Sequence, residues 1–129
     1  MGKQARAGIE CWAEEVKQGG GISIPSSGEK DLPHLLFLDD RSARDPAARN
    51  TEKLIRAEGV EILLGPYSSA LTLSATLVAE SFKIPLWNHG GSADTLYERG
   101  FRFLVGLAPP ASTYFHGVFE WVHEVGLAS

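Results

Sequence analysis

Apolar and polar positions along the chain follow two different periods. Near the amino terminus, apolar residues fall at helical spacing with charges between them, which predicts an amphipathic helix over 3–18 that ends at three consecutive glycines. The segment 22–33 is rich in turn-forming residues and predicts a loop with, at most, a short extended piece. From residue 34 onward, short continuous apolar runs take over. Such runs are typical of strands that are buried on both faces of a parallel sheet.

These apolar runs alternate with helical segments to the end of the chain. Strands are predicted at 34–39, 60–64, 84–87 and 101–105. Helices are predicted at 45–58, at 70–82, in a short piece after Ser92, and from Pro109 onward. The first of these has Asp45 as N-cap, Pro46 at the first helical position and Gly59 at its end. Strands that alternate with helices in this way predict an α/β fold with βαβ units and a mostly parallel sheet.

The composition and charge exclude several classes of protein. The formal net charge of 129 residues is -4 and the sequence pI is about 5.5, so there is no basic stripe for nucleic acid. Cys11 is the single cysteine, and no intrachain disulfide is possible. The first residues contain neither the apolar core nor the cleavage site of a secretory signal peptide.

Three segments follow predicted strands, where ligands of open α/β sheets bind. They are Asp39-Asp40, Tyr67-Ser68-Ser69 and the stretch from Asn88 to Ser92. The Asp39-Asp40 pair points to opposite faces of a strand and does not form an acid–base dyad, so a solvated loop start or a cap is favoured over a metal site. His116 and His123 share a helical face without a third ligand, which indicates no zinc site.

Two of these segments have the same chemistry. Tyr67, Ser68 and Ser69 bring hydroxyls and backbone N–H groups to a helix start, which suits a carboxylate or another anion. Gly90-Gly91-Ser92 repeats this arrangement after the next strand, with His89 beside it. The two glycines indicate either a positive φ or a close approach to the backbone. The alternative for each segment is purely structural: one serine caps a helix, or the glycines form a tight turn.

Four stretches together resemble a known family. They are DDRSARDPAARNTEKLI, GVEILLGPYSSALTLSATLVAE, IPLWNHGGSADTLYERGFRFL and PPASTYFHGVFEWV. In order and spacing they resemble the N-terminal lobe of the leucine/isoleucine/valine-type periplasmic binding proteins, the substrate-binding subunits of branched-chain amino-acid ABC transporters. The resemblance covers nearly all of residues 1–129 as a single partial domain. It implies a type I periplasmic-binding-protein lobe with three αβα layers.

The resemblance also implies a function and a ligand site. Members of this family close two lobes on a small ligand, and the first lobe holds the α-carboxylate and α-amine of an amino acid. Carried over to this chain, the ligand-binding residues are Ser69, with Tyr67 and Ser68 adjacent, and the second turn with His89, Gly90, Gly91 and Ser92. No cofactor, metal or catalytic residue is implied. The implied partners are an amino acid or a related solute and an ABC permease, and the implied location is the periplasm or the cell surface.

Departures from the family pattern create further expectations. Asn88-His89 stands where many relatives have a serine-proline pair, and with Trp87 it is expected to reshape the ligand pocket. The family's first strand, which lies between the strands predicted at 34–39 and 60–64, and its second lobe are absent from the sequence. The isolated chain is therefore expected to be unstable, rearranged or associated into homo-oligomers through exposed sheet edges.

Other functions fit the same residues. A ligand-sensing domain of a regulator uses the same lobe, and a neighbouring DNA-binding or kinase module would identify it. A small α/β hydrolase-type enzyme would use Ser69, Ser92 or His89, although the segments GPYSSA and GGSAD do not match a nucleophile elbow. An interaction domain would bind a partner strand at a sheet edge.

Overall fold

The computed structural model describes residues 2–127, which divide into a unit ending at Leu38 and a larger unit beginning at Asp39. No helix of this described part is long and apolar enough to cross a membrane. The elements in chain order are α1 (Gly2–Gln18), β1 (Ile22–Ser23), β2 (Lys30–Asp31), α2 (Arg44–Arg56), β3 (Leu63–Leu64), α3 (Ser69–Phe82), β4 (Leu86–Asn88), β5 (Leu104–Gly106) and α4 (His116–Glu124). Short turns of 3₁₀ helix at Asp94–Leu96 and Ala111–Thr113 follow β4 and β5.

The first unit consists of α1 and a small hairpin. Helix α1 ends as predicted, because Gly20 and Gly21 adopt φ values of 82° and 102° that other residues avoid. Strands β1 and β2 pair antiparallel inside the segment expected to be a loop, with Ile22 opposite Asp31. The guanidinium of Arg6 lies 4.5 Å from the centre of the Phe37 ring.

The strand predicted at 34–39 is not formed, and that prediction is wrong. The run His34–Leu38 carries no strand, and Leu36, Phe37 and Leu38 are exposed. An extended segment becomes a strand only when a neighbour accepts its N–H groups and donates to its carbonyls. Among the described residues, β3, β4 and β5 form one sheet and β1 and β2 the other, and neither includes this run.

The second unit is built on a parallel sheet in the order β3-β4-β5. Leu63 pairs with Leu86, and Leu86 pairs with Leu104, so the three leucines form one row across the sheet. Helices α2 and α3 pack together, and α3 covers this row. The core consists of Leu63, Ala75, Ala79 and Leu86, with Leu54, Ile55, Val60, Ile84 and Leu104 packed against it. The α/β class and the parallel sheet are thus confirmed.

Helix α2 begins earlier than the sequence predicted, and its N-cap is not Asp45. Arg41 and Ser42 adopt left-handed φ values of 50° and 55°, and Ala43 takes the N-cap position without a side-chain hydrogen bond. The Arg41 amide donates to the Asp39 side chain and the Ser42 amide donates to the Asp40 side chain, each over 2.8 Å. These local bonds turn the chain before Asp45 is reached, so Asp45 and Pro46 lie inside the first turn, where proline's missing N–H costs little.

The remaining bounds differ by a few residues from the prediction. Strands β3, β4 and β5 are shorter than the predicted apolar runs, because only residues that pair with a neighbour count as strand. Strand β3 ends at Leu64 as predicted, and β4 and β5 each end one residue later than predicted. The last helix begins at His116 and not near Pro109, since residues 111–113 form a separate 3₁₀ turn. Helix α4 buries none of its residues.

Candidate functional site

The turns that follow β3 and β4 lie side by side because these strands are parallel neighbours. The hydroxyl oxygen of Ser69, at the start of α3, accepts hydrogen bonds from the amides of Ser92 and Ala93, both over 3.1 Å. Ser92 and Ala93, which lie 23 and 24 positions after Ser69 in the sequence, therefore both contact its hydroxyl oxygen. The structure brings the two predicted serine-containing turns together at the carboxyl edge of the sheet.

The start of α3 is capped by Ser68. Its backbone is extended, with φ of -100° and ψ of 149°, and its hydroxyl accepts from the amide of Leu71 over 3.4 Å. This is the structural role that the sequence offered as the alternative for this segment. The amides of Ser69 and Ala70 are the first two of the helix and have no acceptor within it. They carry the positive end of the α3 dipole.

Close packing, and not positive φ, explains Gly90 and Gly91. Neither residue is among those with positive φ. A Cβ on Gly90 would overlap the carbonyl oxygen of Tyr67, in the neighbouring turn. A Cβ on Gly91 would lie 2.9 Å from the Asn88 amide oxygen, from Leu96 and from the Thr72 hydroxyl. Of the two explanations offered by the sequence, the close approach is the one observed, and the approaching groups belong to the protein itself.

Asn88 holds the second turn from inside the fold. The side chain is fully buried, and its Oδ1 accepts from the amides of Gly90 at 3.3 Å and Gly91 at 2.7 Å. Its Nδ2 donates to the Gly91 carbonyl at 2.5 Å and to the Tyr97 hydroxyl at 3.1 Å. The sequence predicts Asn88 beside the pocket and gives no prediction for Tyr97. Asparagine side chains often accept from the backbone amide two residues on, so Asn88 is a signal for its bond to Gly90 and not for its bond to Tyr97.

Tyr97 connects this turn to the end of β5. Its hydroxyl lies 3.2 Å from the Gly91 carbonyl and 3.1 Å from the Ala108 carbonyl. The ring packs against Gly106, where a Cβ would lie 2.7 Å from the ring edge. Nearby, the Ala111 amide donates to the Ser92 carbonyl over 2.8 Å, and the Ser112 hydroxyl donates to Asp94. The ends of β4 and β5 are therefore joined by side-chain and backbone bonds.

The other predicted residues take varied positions. Tyr67 is exposed, and His89 is partly buried beside the turn. Trp87 is 41% exposed and is in register with Leu64 and Val105, on the strand positions that alternate with the buried leucine row. His116 and His123 are exposed, and the described residues contain no group of three or more potential metal ligands.

A surface depression of 520 Å³ lies outside the candidate site, in the first unit. Its lining combines α1 with the segment after β2 and contains none of the residues of the two turns. The arrangement around Ser69 consists of hydroxyl and amide groups at the carboxyl edge of the sheet, where Ser69 and Ser92 are partly buried.

The fold agrees with a match to a protein family over the whole chain. Residues 1–129 match the model of the family described as periplasmic binding protein, and the chain belongs to that family. A curated relative is the Leu/Ile/Val-binding protein homolog 8 of Brucella abortus, which is 32% identical over 111 residues. That alignment covers 86% of this chain and 26% of the relative, so the chain spans about a quarter of the relative's length.

Solved structures show the same fold. The branched-chain amino acid transporter substrate-binding protein LivJ of Streptococcus pneumoniae, in complex with isoleucine, superposes with a TM-score of 0.70 and is 24% identical over 87% of this chain and 30% of that one. A second solved structure is a solute-binding protein of an ABC transporter from Rhodopseudomonas palustris, in complex with 3,4-dihydroxybenzoic acid. It superposes with a TM-score of 0.73 and is 21% identical, and the superposition covers 98% of this chain and 34% of that one. These similarities confirm the type I periplasmic-binding-protein fold, of which the chain contains a part.

Proposed function

We propose that the chain supplies the ligand-binding part of a solute receptor of an ABC importer, and that it holds the carboxylate of an amino acid or a similar small solute at Ser69. The observation that supports this most directly is the bonding of the Ser69 hydroxyl. A serine hydroxyl has one donor and two acceptor positions, and the amides of Ser92 and Ala93 occupy both acceptors. Among residues 2–127 no group accepts the remaining proton of this hydroxyl, so it is free to donate to a ligand oxygen.

The backbone amides next to Ser69 also favour a ligand with an anionic oxygen. The amides of Ser69 and Ala70 are donors at the positive end of α3. An anionic oxygen satisfies all of these donors together, whereas an ammonium group satisfies none. Gly90, Gly91 and Ser92 form the other wall of the proposed site, with Tyr67, Ser68 and His89 next to it.

The ligands of two relatives support a carboxylate. The Streptococcus pneumoniae protein was solved with isoleucine and the Rhodopseudomonas palustris protein with 3,4-dihydroxybenzoic acid, and both molecules have a carboxylate. We extend to the whole protein the features of its family: closure of a second lobe, an ABC permease as partner, and a location in the periplasm or at the cell surface. The proposed role is binding without chemistry.

Titration followed by NMR tests the carboxylate site. The labelled chain is titrated with L-isoleucine and with isoleucinamide, which lacks the carboxylate. We expect isoleucine to shift the amide signals of Ser69, Ala70, Ser92 and Ala93, and isoleucinamide to leave them unchanged. Ser69→Ala should weaken isoleucine binding about tenfold, which corresponds to one hydrogen bond to a charged group.

The matched control is Ser81→Ala. The Ser81 hydroxyl donates to the Val78 carbonyl at the other end of α3, so its removal leaves the proposed site intact. Equal shifts with isoleucine and isoleucinamide would contradict the carboxylate assignment. Hydrolysis of small esters or amides that is lost in Ser69→Ala would contradict a role in binding alone.

A further inference from the structure

Asn88 uses its full hydrogen-bonding capacity inside the protein. An asparagine amide offers two N–H donors and one carbonyl oxygen with two lone pairs. The oxygen accepts from Gly90 and Gly91, and the nitrogen donates to the Gly91 carbonyl and the Tyr97 hydroxyl. The side chain is fully buried. No donor or acceptor of Asn88 remains for a ligand, so any effect of this residue on binding must be indirect.

Tyr97 completes the connection between two strand ends. Its hydroxyl accepts a hydrogen bond from the Asn88 Nδ2 and donates one to the Gly91 or Ala108 carbonyl. Its ring lies against Gly106, the last residue of β5. A movement of the turn after β4 would therefore break bonds at both Asn88 and Tyr97.

The amides that meet Ser69 follow directly after the residues that Asn88 holds. Gly91 is bonded on both its N–H and its carbonyl, and the next two amides, of Ser92 and Ala93, donate to the Ser69 hydroxyl. We propose that Asn88 and Tyr97 are positioning residues: they hold the turn so that these two amides occupy both acceptor positions of Ser69. Because this leaves the Ser69 hydroxyl as a donor, they set its preference for an anionic ligand, an inference that rests on the proposed function.

Hydrogen exchange and ligand titration test this inference in the same variants. Tyr97→Phe removes the hydroxyl and keeps the ring, and Asn88→Asp keeps the oxygen acceptor and removes the Nδ2 donor. We expect the amides of Ser92 and Ala93 to exchange about tenfold faster in each variant, because one or two hydrogen bonds that hold the turn are lost. Core amides of α3, such as that of Ala79, should keep their exchange rates. Isoleucine binding should weaken by a similar factor.

Thr51→Val is the matched control. It removes a buried hydrogen bond of 2.8 Å to the Ala47 carbonyl in α2, remote in sequence from the turn. It should lower stability without selectively accelerating exchange at Ser92 and Ala93. If Asn88→Asp does not fold, Tyr97→Phe alone decides the question, since it removes a single oxygen from a partly buried ring.

The outcomes separate this inference from the proposed function. Unchanged exchange at Ser92 and Ala93 in folded Tyr97→Phe would overturn the positioning role, whatever the affinity. Faster exchange of these two amides with unchanged isoleucine affinity would overturn the claim that positioning controls binding. Absence of isoleucine binding by the unmodified chain would overturn the proposed function, and exchange would then still decide whether the two residues hold the turn.

Discussion

Single atoms decide which residues are allowed in the turn after β4. Gly90 is not among the residues with positive φ, yet its Cα lies so close to the Tyr67 carbonyl that a Cβ would overlap the oxygen. The overlapping group is backbone and not the tip of a flexible side chain, so relief requires a movement of one turn against the other. The cost of a side chain at this position is therefore steric.

Gly90→Ala should destabilise the second unit by about 2 kcal/mol, within the range for overpacked sites. The matched control is Gly117→Ala in α4, where a Cβ would meet nothing within 4 Å and φ is not positive. Alanine there should be neutral or stabilising by up to about 1 kcal/mol, because alanine loses less backbone entropy in a helix. Urea unfolding measures both changes, and equal stability of the two variants would contradict the steric explanation.

The two central helices start in different ways, and the difference has a measurable consequence. Ser68 caps α3 with its hydroxyl, whereas Ala43 occupies the same position of α2 with an extended backbone and no side-chain oxygen. Because α2 and α3 pack together, a change at either start is transmitted to the stability of the unit.

Ser68→Ala should lower the free energy of unfolding by about 1 kcal/mol, and Ala43→Ser should raise it by a similar amount. Both substitutions exchange the same two residue types at the same helical position, so each is a control for the other. Chemical denaturation with unchanged slope would report the difference. A loss of stability in Ala43→Ser would show that the turn formed by Arg41 and Ser42 does not tolerate a capping side chain.

At the scale of the whole molecule, one face of the sheet remains apolar and exposed. Leu64, Trp87 and Val105 form a row across β3, β4 and β5, and they are 43%, 41% and 40% exposed. Within the described residues β3 pairs with β4 alone, so its other edge offers unpaired peptide groups next to this row. Contiguous apolar surface beside an open strand edge favours association.

We therefore predict that the chain self-associates and that Leu64→Lys reduces the association. A lysine on the outward face of an edge strand opposes pairing with another chain. Leu77→Lys is the control, since Leu77 is exposed to a similar degree, at 52%, on α3. Sedimentation velocity over a range of concentrations measures the effect. A monomer that melts sharply and reversibly would contradict the prediction.

Local signals along the chain predict the class of fold and the two turns that form the candidate site. Helical spacing, apolar runs and paired glycines predicted α1, α3, a mostly parallel sheet and the two serine turns, because these signals depend on neighbours a few residues apart. Other features depend on contacts between residues that are far apart in the sequence. The run 34–38 forms no strand because no described segment pairs with it. Gly90 is required by the Tyr67 carbonyl, and Asn88 bonds inward because Tyr97 and two glycine amides surround it. Periodicity records which face of an element is apolar, and only packing determines which atoms that face meets.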